Sequence, residues 1–141
     1  MENVNLVEKV VYTGKTVTTG GREGTSRSSD CRLDIKLTSP GAVGEGTNPE
    51  QLFGAGWSAC FIGAMGKTAA NMKLKLPAQT TVDAEVDLVV SAEAYSLQAR
   101  LTINLPGITH ETARTIAEGA HLICPYSKAI KGNIKVETII L

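Results

Sequence analysis

From Leu52 to Gly66 the chain carries no charge, and Gly54, Ala55, Gly56, Ala59, Gly63, Ala64 and Gly66 leave only short side chains over much of that run. Immediately before it stands a helix start signal: Asn48 at the N-cap, Pro49 at N1, and Gln51 at N3 reaching back to the cap. The pattern predicts a helix from Pro49 to about Asn71. A helix apolar all round must be covered all round, and small residues let other backbones approach it closely. The remaining elements therefore have to wrap it as a central helix.

Those elements are mostly strands. Cys31, Leu33, Ile35 and Leu37 alternate with Asp30, Arg32, Asp34 and Lys36, giving one dry and one wet face, with Cys31 on the dry one. Upstream, Lys9 to Thr19 is rich in Val and Thr, and Gly20-Gly21-Arg22-Glu23-Gly24 reads as a hairpin connection that puts Arg22 on a loop. Val82 to Val90 and Tyr95 to Leu105 repeat the alternation around Ser91-Ala92-Glu93-Ala94 as a second hairpin, and Ile134 to Ile140 forms a last strand. A second helix is predicted from its cap Thr109 to Cys124, with Ala113, Ile116, Ala117, Ala120 and Cys124 on one stripe and Pro125 ending it. The sum is an α+β domain of antiparallel strands wrapped around two central helices, each carrying a cysteine toward the interior.

The 141 residues, 43% of them apolar, suffice for one core, so a single domain over 1–141 is expected. Fourteen basic residues balance fourteen acidic ones, which gives no field to gather nucleic acid or an anionic membrane surface. No apolar stretch reaches the roughly 18 residues of a membrane span, and the first residues do not resemble a signal peptide. A cytoplasmic protein is expected. There a structural disulfide is disfavoured, and three cysteines cannot all pair within one chain.

Each cysteine has a plain reading as a small buried hydrophobe. For Cys31, on a regular strand, packing is the expected role. Cys60 lies too far into its helix for the helix dipole to reach it, and apolar burial alone raises a thiol pKa. A reactive Cys60 therefore needs a cation from elsewhere in the fold. Lys67 is two turns on, about 10 Å along the axis, which is a poor position. Arg22, a loop guanidinium that Glu50 could steady, is the candidate, although a turn residue and a dipole-favoured helix start explain the same pair. The H-x-x-C spacing of His121 and Cys124 is a weak metal signal that would require Cys31, Cys60, Cys124 and His121 to converge from four elements. A Cys60–His121 hydrolase pair lacks a motif that orients the histidine, and the glycines near Arg22 match no phosphate-binding loop.

With these residues in place the chain resembles the organic hydroperoxide resistance (Ohr) proteins of the OsmC-like family. The matching segments are Tyr12-Thr13, Gly20-Gly21-Arg22-Glu23-Gly24, Gly46-Thr47-Asn48-Pro49-Glu50-Gln51-Leu52-Phe53, Ser58-Ala59-Cys60-Phe61, Leu105-Pro106-Gly107 and Cys124-Pro125-Tyr126-Ser127. They occur in family order across nearly the whole chain. The resemblance implies an OsmC-like fold in a tightly intertwined homodimer with active sites at the subunit interface. It implies Cys60 as the peroxidatic cysteine, Cys124 as the resolving one, Arg22 as activator of the thiolate, and Glu50 as the holder of Arg22. It further implies alkyl and fatty-acid hydroperoxides as substrates, no cofactor or metal, and recycling by a dithiol such as a lipoylated protein. Trp57, where the family often has tyrosine, and Phe61 are the candidate pocket residues. The competing expectation is a dimeric, non-catalytic binder of apolar ligands whose cysteines pack or sense oxidation.

Overall fold

The structure, a computed structural model, describes residues 8–92 and 94–141 and divides into two compact units, Met1–Asn48 and Pro49–Leu141.

In the first unit, β1 (Thr16–Thr19), β2 (Thr25–Ser28) and β3 (Asp34–Lys36) form an antiparallel sheet in that order. The glycine-rich connection between β1 and β2 folds as a single 3-10 turn, Gly21–Glu23, with Arg22 at its centre. Glycine is required there: Gly20 has φ 74°, and a Cβ on Gly24 would overlap the Thr19 carbonyl. β1 is shorter than the Val/Thr-rich run suggests: its ladder with β2 starts at Thr16, opposite Ser28, and Tyr12 is exposed.

Cys31 departs from its expected place on a dry strand face. It is exposed, with φ 62°, in a turn that precedes β3. Two side chains take over the backbone here: the Ser28 hydroxyl accepts from the Leu33 N–H at 2.9 Å, and the Asp30 carboxylate accepts from the Arg32 N–H at 3.0 Å. Such local bonds compete with a ladder. The alternation holds only from Leu33 onward, through half-buried Ile35 to buried Leu37.

In the second unit, β4 (Thr81–Ser91) and β5 (Ala94–Asn104) pair antiparallel over their full length, from Thr81 opposite Asn104 to Ser91 opposite Ala94. The long amphipathic runs thus form the predicted hairpin. β6 (Lys135–Ile140) departs from the antiparallel expectation by joining β5 in parallel. The intervening helical segment returns the chain to Gln98, midway along β5, which pairs with Lys135 at the start of β6.

α1 (Pro49–Asn71) is one unbroken helix despite its glycines. Trp57, Phe61, Met65 and Ala69 recur every four residues and present one stripe to Leu101 and Ile103 of β5 and to Ala113, Ile116, Ala117 and Ala120 of α2 (His110–Ile123). Burial contributes about 1.5–3 kcal/mol for each large apolar side chain. α1 and α2 approach so closely that a Cβ on Gly119 would lie 2.5 Å from Thr68 Cγ2. Burial of α1 on every side is not found within one chain, since Ala55, Ala59 and Gly63, one turn apart from each other, are exposed. Thr109 caps α2 as expected, accepting from the Thr112 N–H. A third helix, α3 (Pro125–Ile130), was not anticipated: Pro125 stops α2 and also occupies the first turn of α3, where proline needs no N–H partner.

Candidate active site

Cys60 sits midway along α1 and is half-buried, while Cys124 is wholly buried at the corner where α2 ends and α3 begins. At this corner Cys124 has φ −64° and ψ 119°, its N–H donates to the Ala120 carbonyl at 2.8 Å, and its carbonyl accepts from the Lys128 N–H at 2.9 Å. Both backbone groups are thus committed to helix ends, which leaves the side chain aimed at α1. The Cys124 thiol donates to the Cys60 sulfur, with Sγ–Sγ 3.3 Å. A disulfide measures about 2.05 Å, so these are two free thiols in direct contact, brought together across a separation of 64 positions.

Burial pushes the Cys60 thiol pKa up from its ordinary value; the Tyr126 backbone N–H opposes the rise, and the Cys124 thiol adds to it. Cys60 therefore needs a cation nearby to become a thiolate near neutral pH. Of the residues assigned to that task, Arg22 occupies the 3-10 turn of the first unit, and Glu50 lies in the first turn of α1 in the second.

Around the sulfur pair the second unit holds a set of aromatic and polar groups. Phe53 meets Trp57 edge-on at 5.5 Å and Tyr126 at 6.2 Å between ring centroids. Tyr126 lies over Gly56, where a Cβ would fall 2.8 Å from its hydroxyl. The expected pocket residues Trp57 and Phe61 have no exposed surface and belong to the core; Trp57 borders, with Leu122, Ile130 and Val136, a cleft of about 320 Å³ beside His121. The Trp57 indole N–H donates to Ser127 Oγ at 3.0 Å. His121 Nδ1 lies 3.0 Å from that hydroxyl and Nε2 lies 2.9 Å from Thr138 Oγ1. Burial lowers the His121 pKa. With both ring nitrogens engaged by hydroxyls, His121 is neither a base for Cys60 nor presented as a metal ligand.

Sequence reasoning thus found the two thiols but missed Ser127, Thr138 and the Tyr126 backbone. Ser127 stands in the quoted Cys124-Pro125-Tyr126-Ser127 segment, yet nothing in the chain's order signals that Thr138 shares its partner. Among the described residues no helix is long and apolar enough to cross a membrane.

The family model described as OsmC-like protein matches residues 42–139. An organic hydroperoxide resistance protein of Xanthomonas axonopodis pv. citri is 48% identical over 133 residues, covering 92% of this chain and 94% of the relative. The organic hydroperoxide resistance protein OhrB of Bacillus subtilis is 36% identical over 132 residues, covering 90% of this chain and 96% of that one. The crystal structure of an organic hydroperoxide resistance protein from Legionella pneumophila superposes with TM-score 0.88 at 35% identity, over 94% of this chain and 98% of that chain. The α+β architecture is the OsmC-like one, and the chain belongs to the OsmC-like family.

Proposed function

We propose that this protein confers organic hydroperoxide resistance as a thiol-dependent peroxidase, with Cys60 peroxidatic and Cys124 resolving. The observation that carries the reading is the 3.3 Å contact between two free thiols, one reachable and one buried, in a chain whose relatives are named for organic hydroperoxide resistance. The Cys60 thiolate attacks the distal oxygen of an alkyl or fatty-acid hydroperoxide, the O–O bond breaks, and the alkoxide takes a proton and leaves as an alcohol. Cys60 becomes a sulfenic acid. The Cys124 sulfur attacks it, the disulfide forms, and the sulfenic oxygen departs as water before further oxidation. An external dithiol, in our reading a lipoyl group, restores both thiols by exchange. Sulfur carries the two electrons, so the cycle uses no metal or organic cofactor.

Arg22 is assigned as the cation that lowers the Cys60 pKa and polarises the peroxide, and Glu50 as the carboxylate that holds Arg22. Trp57 and Phe61 shape the packing beneath the site. Residues 1–141 are read as one functional domain, in the cytoplasm and as a homodimer. Three observations support the second subunit. α1 is unbroken, so Glu50 and Cys60 stand about 15 Å apart along its axis. Ala55, Ala59 and Gly63 form an uncovered stripe on that helix. Leu88, Val90 and Tyr95 continue the inward face of the hairpin yet are exposed.

Free-thiol titration during addition of cumene hydroperoxide tests the reading. A peroxidase loses thiols rapidly and stoichiometrically and turns over when dihydrolipoamide is supplied. Persistence of all thiols would instead favour the non-catalytic binder.

A further inference from the structure

We infer that the hydrogen-bonded chain Trp57–Ser127–His121–Thr138 is a clamp that holds Cys124 against Cys60, with Ser127 its node and a positioning residue for disulfide formation. The inference rests on the reading of Cys60 and Cys124 as a redox pair. Trp57 precedes Cys60 by three residues on α1, His121 precedes Cys124 by three, and Ser127 follows it by three. The chain of bonds therefore ties the backbone beneath one sulfur to the backbone on both sides of the other. Thr138 anchors its far end to β6.

The direction of the first bond is fixed, because an indole nitrogen only donates. Ser127 Oγ accepts from Trp57 and has its proton and a second lone pair left for His121 Nδ1. A neutral imidazole protonated on Nε2 fits this pattern, since Nδ1 then accepts the Ser127 proton and Nε2 donates to Thr138 Oγ1. The Trp57–Ser127 bond is buried, and among the described residues no buried side-chain nitrogen or oxygen lacks a partner. An unpaired group at this depth would be costly, so the bonds hold one geometry. None of them passes through a sulfur atom, so no bond of the clamp has to break when the thiols are joined. Its effect is to present the two thiols to each other in advance and so to raise their effective concentration.

The test compares the wild-type protein with Ser127→Ala, which removes the node, and Trp57→Phe, which removes the donor but keeps a ring. First, the Cys60–Cys124 disulfide is equilibrated against reduced and oxidised dithiothreitol. The expected result for Ser127→Ala is an equilibrium constant for disulfide formation lower by about tenfold, equivalent to a potential about 30 mV less negative. Trp57→Phe should move it in the same direction. Second, single-turnover mixing with cumene hydroperoxide should show the Ser127→Ala sulfenic acid forming within about twofold of the wild-type rate. Disulfide formation should then slow by about tenfold, and sulfinic acid should accumulate. An unshifted equilibrium in a Ser127→Ala protein with native circular dichroism overturns the clamp. If Ser127→Ala fails to fold, an unshifted equilibrium in Trp57→Phe overturns it equally. A wild-type protein that forms this disulfide with dithiothreitol but never consumes peroxide defeats the peroxidase reading and leaves the clamp standing.

Discussion

Cys124 is wholly buried and donates its thiol hydrogen to Cys60, which is half-buried, across 3.3 Å. The pair is thus asymmetric: a reagent reaches the sulfur on α1 before the sulfur at the α2–α3 corner. One equivalent of organic hydroperoxide should yield a Cys60–Cys124 disulfide as the dominant product, found by peptide mass spectrometry, with Cys31 still free. Cys60→Ser should abolish peroxide-dependent thiol loss, whereas Cys124→Ser should allow one oxidation per chain and then stop. A dominant link through exposed Cys31 would overturn the assignment.

The proposed role of Arg22 is electrostatic and is read by titration. Burial raises the Cys60 pKa, so an activated thiolate depends on a nearby cation. Thiolate absorbance against pH should show wild-type Cys60 ionising below the ordinary thiol value of about 8.5, and Arg22→Ala should shift it upward by at least about one unit. Each unit corresponds to about 1.4 kcal/mol between the protonation states. Identical curves would assign the cation to another residue.

A subunit-mixing experiment tests the shared site. Cys60→Ser and Glu50→Ala homodimers should each be inactive, and subunit exchange between them should recover part of the wild-type turnover. Verified heterodimers without activity would place each complete site within one chain.

His121 gives stability a pH dependence of known sign. Its folded pKa lies below the unfolded value of 6.5 because burial disfavours the imidazolium. The unfolded chain therefore binds the proton first on acidification, and the stabilisation, complete above about pH 6.5, is lost as pH falls toward the folded pKa. Urea midpoints should decline from pH 7.5 to 5.5 in the wild type and less in His121→Gln. Asp87 acts in a lower window, because hydrogen bonds from Arg100 and Gln98 hold its carboxyl at about 2. Its contribution is present above about pH 4 and disappears as pH falls toward 2, and Asp87→Asn should remove that part of the acid limb.

Gly119→Ala tests the closeness of α1 and α2. Alanine gains about 1 kcal/mol of helix propensity over glycine, but its Cβ would meet Thr68 Cγ2 at 2.5 Å. Overpacking of this kind costs about 1–3 kcal/mol. A net loss of stability is expected by urea unfolding, with recovery in the Gly119→Ala, Thr68→Ala double variant.

What the sequence made legible follows the range of each interaction. The start of α1, the cap of α2 and the β4–β5 hairpin depend on neighbours or on simple periods, and they stand where the pattern puts them. The dry-face position of Cys31 failed because Ser28 and Asp30 divert the backbone, a competition that alternation does not register. The parallel pairing of β6 with β5 and the sharing of His121 between Ser127 and Thr138 depend on three-dimensional return of the chain. Cys60 and Cys124 emerged from family resemblance and inward-facing helix positions, but their separation required coordinates.

The corner at Cys124 bears on the timing of the proposed cycle. Because α2 stops and α3 starts on this one residue, its sulfur hangs from a joint and not from the middle of a rod. Closing the bond shortens the sulfur separation by only about 1.3 Å. Torsion at a single residue can supply that travel while both helices stay seated. Oxidation and reduction would then pass without a large rearrangement, so at saturating peroxide the pace of turnover would be set by how often a reductant arrives.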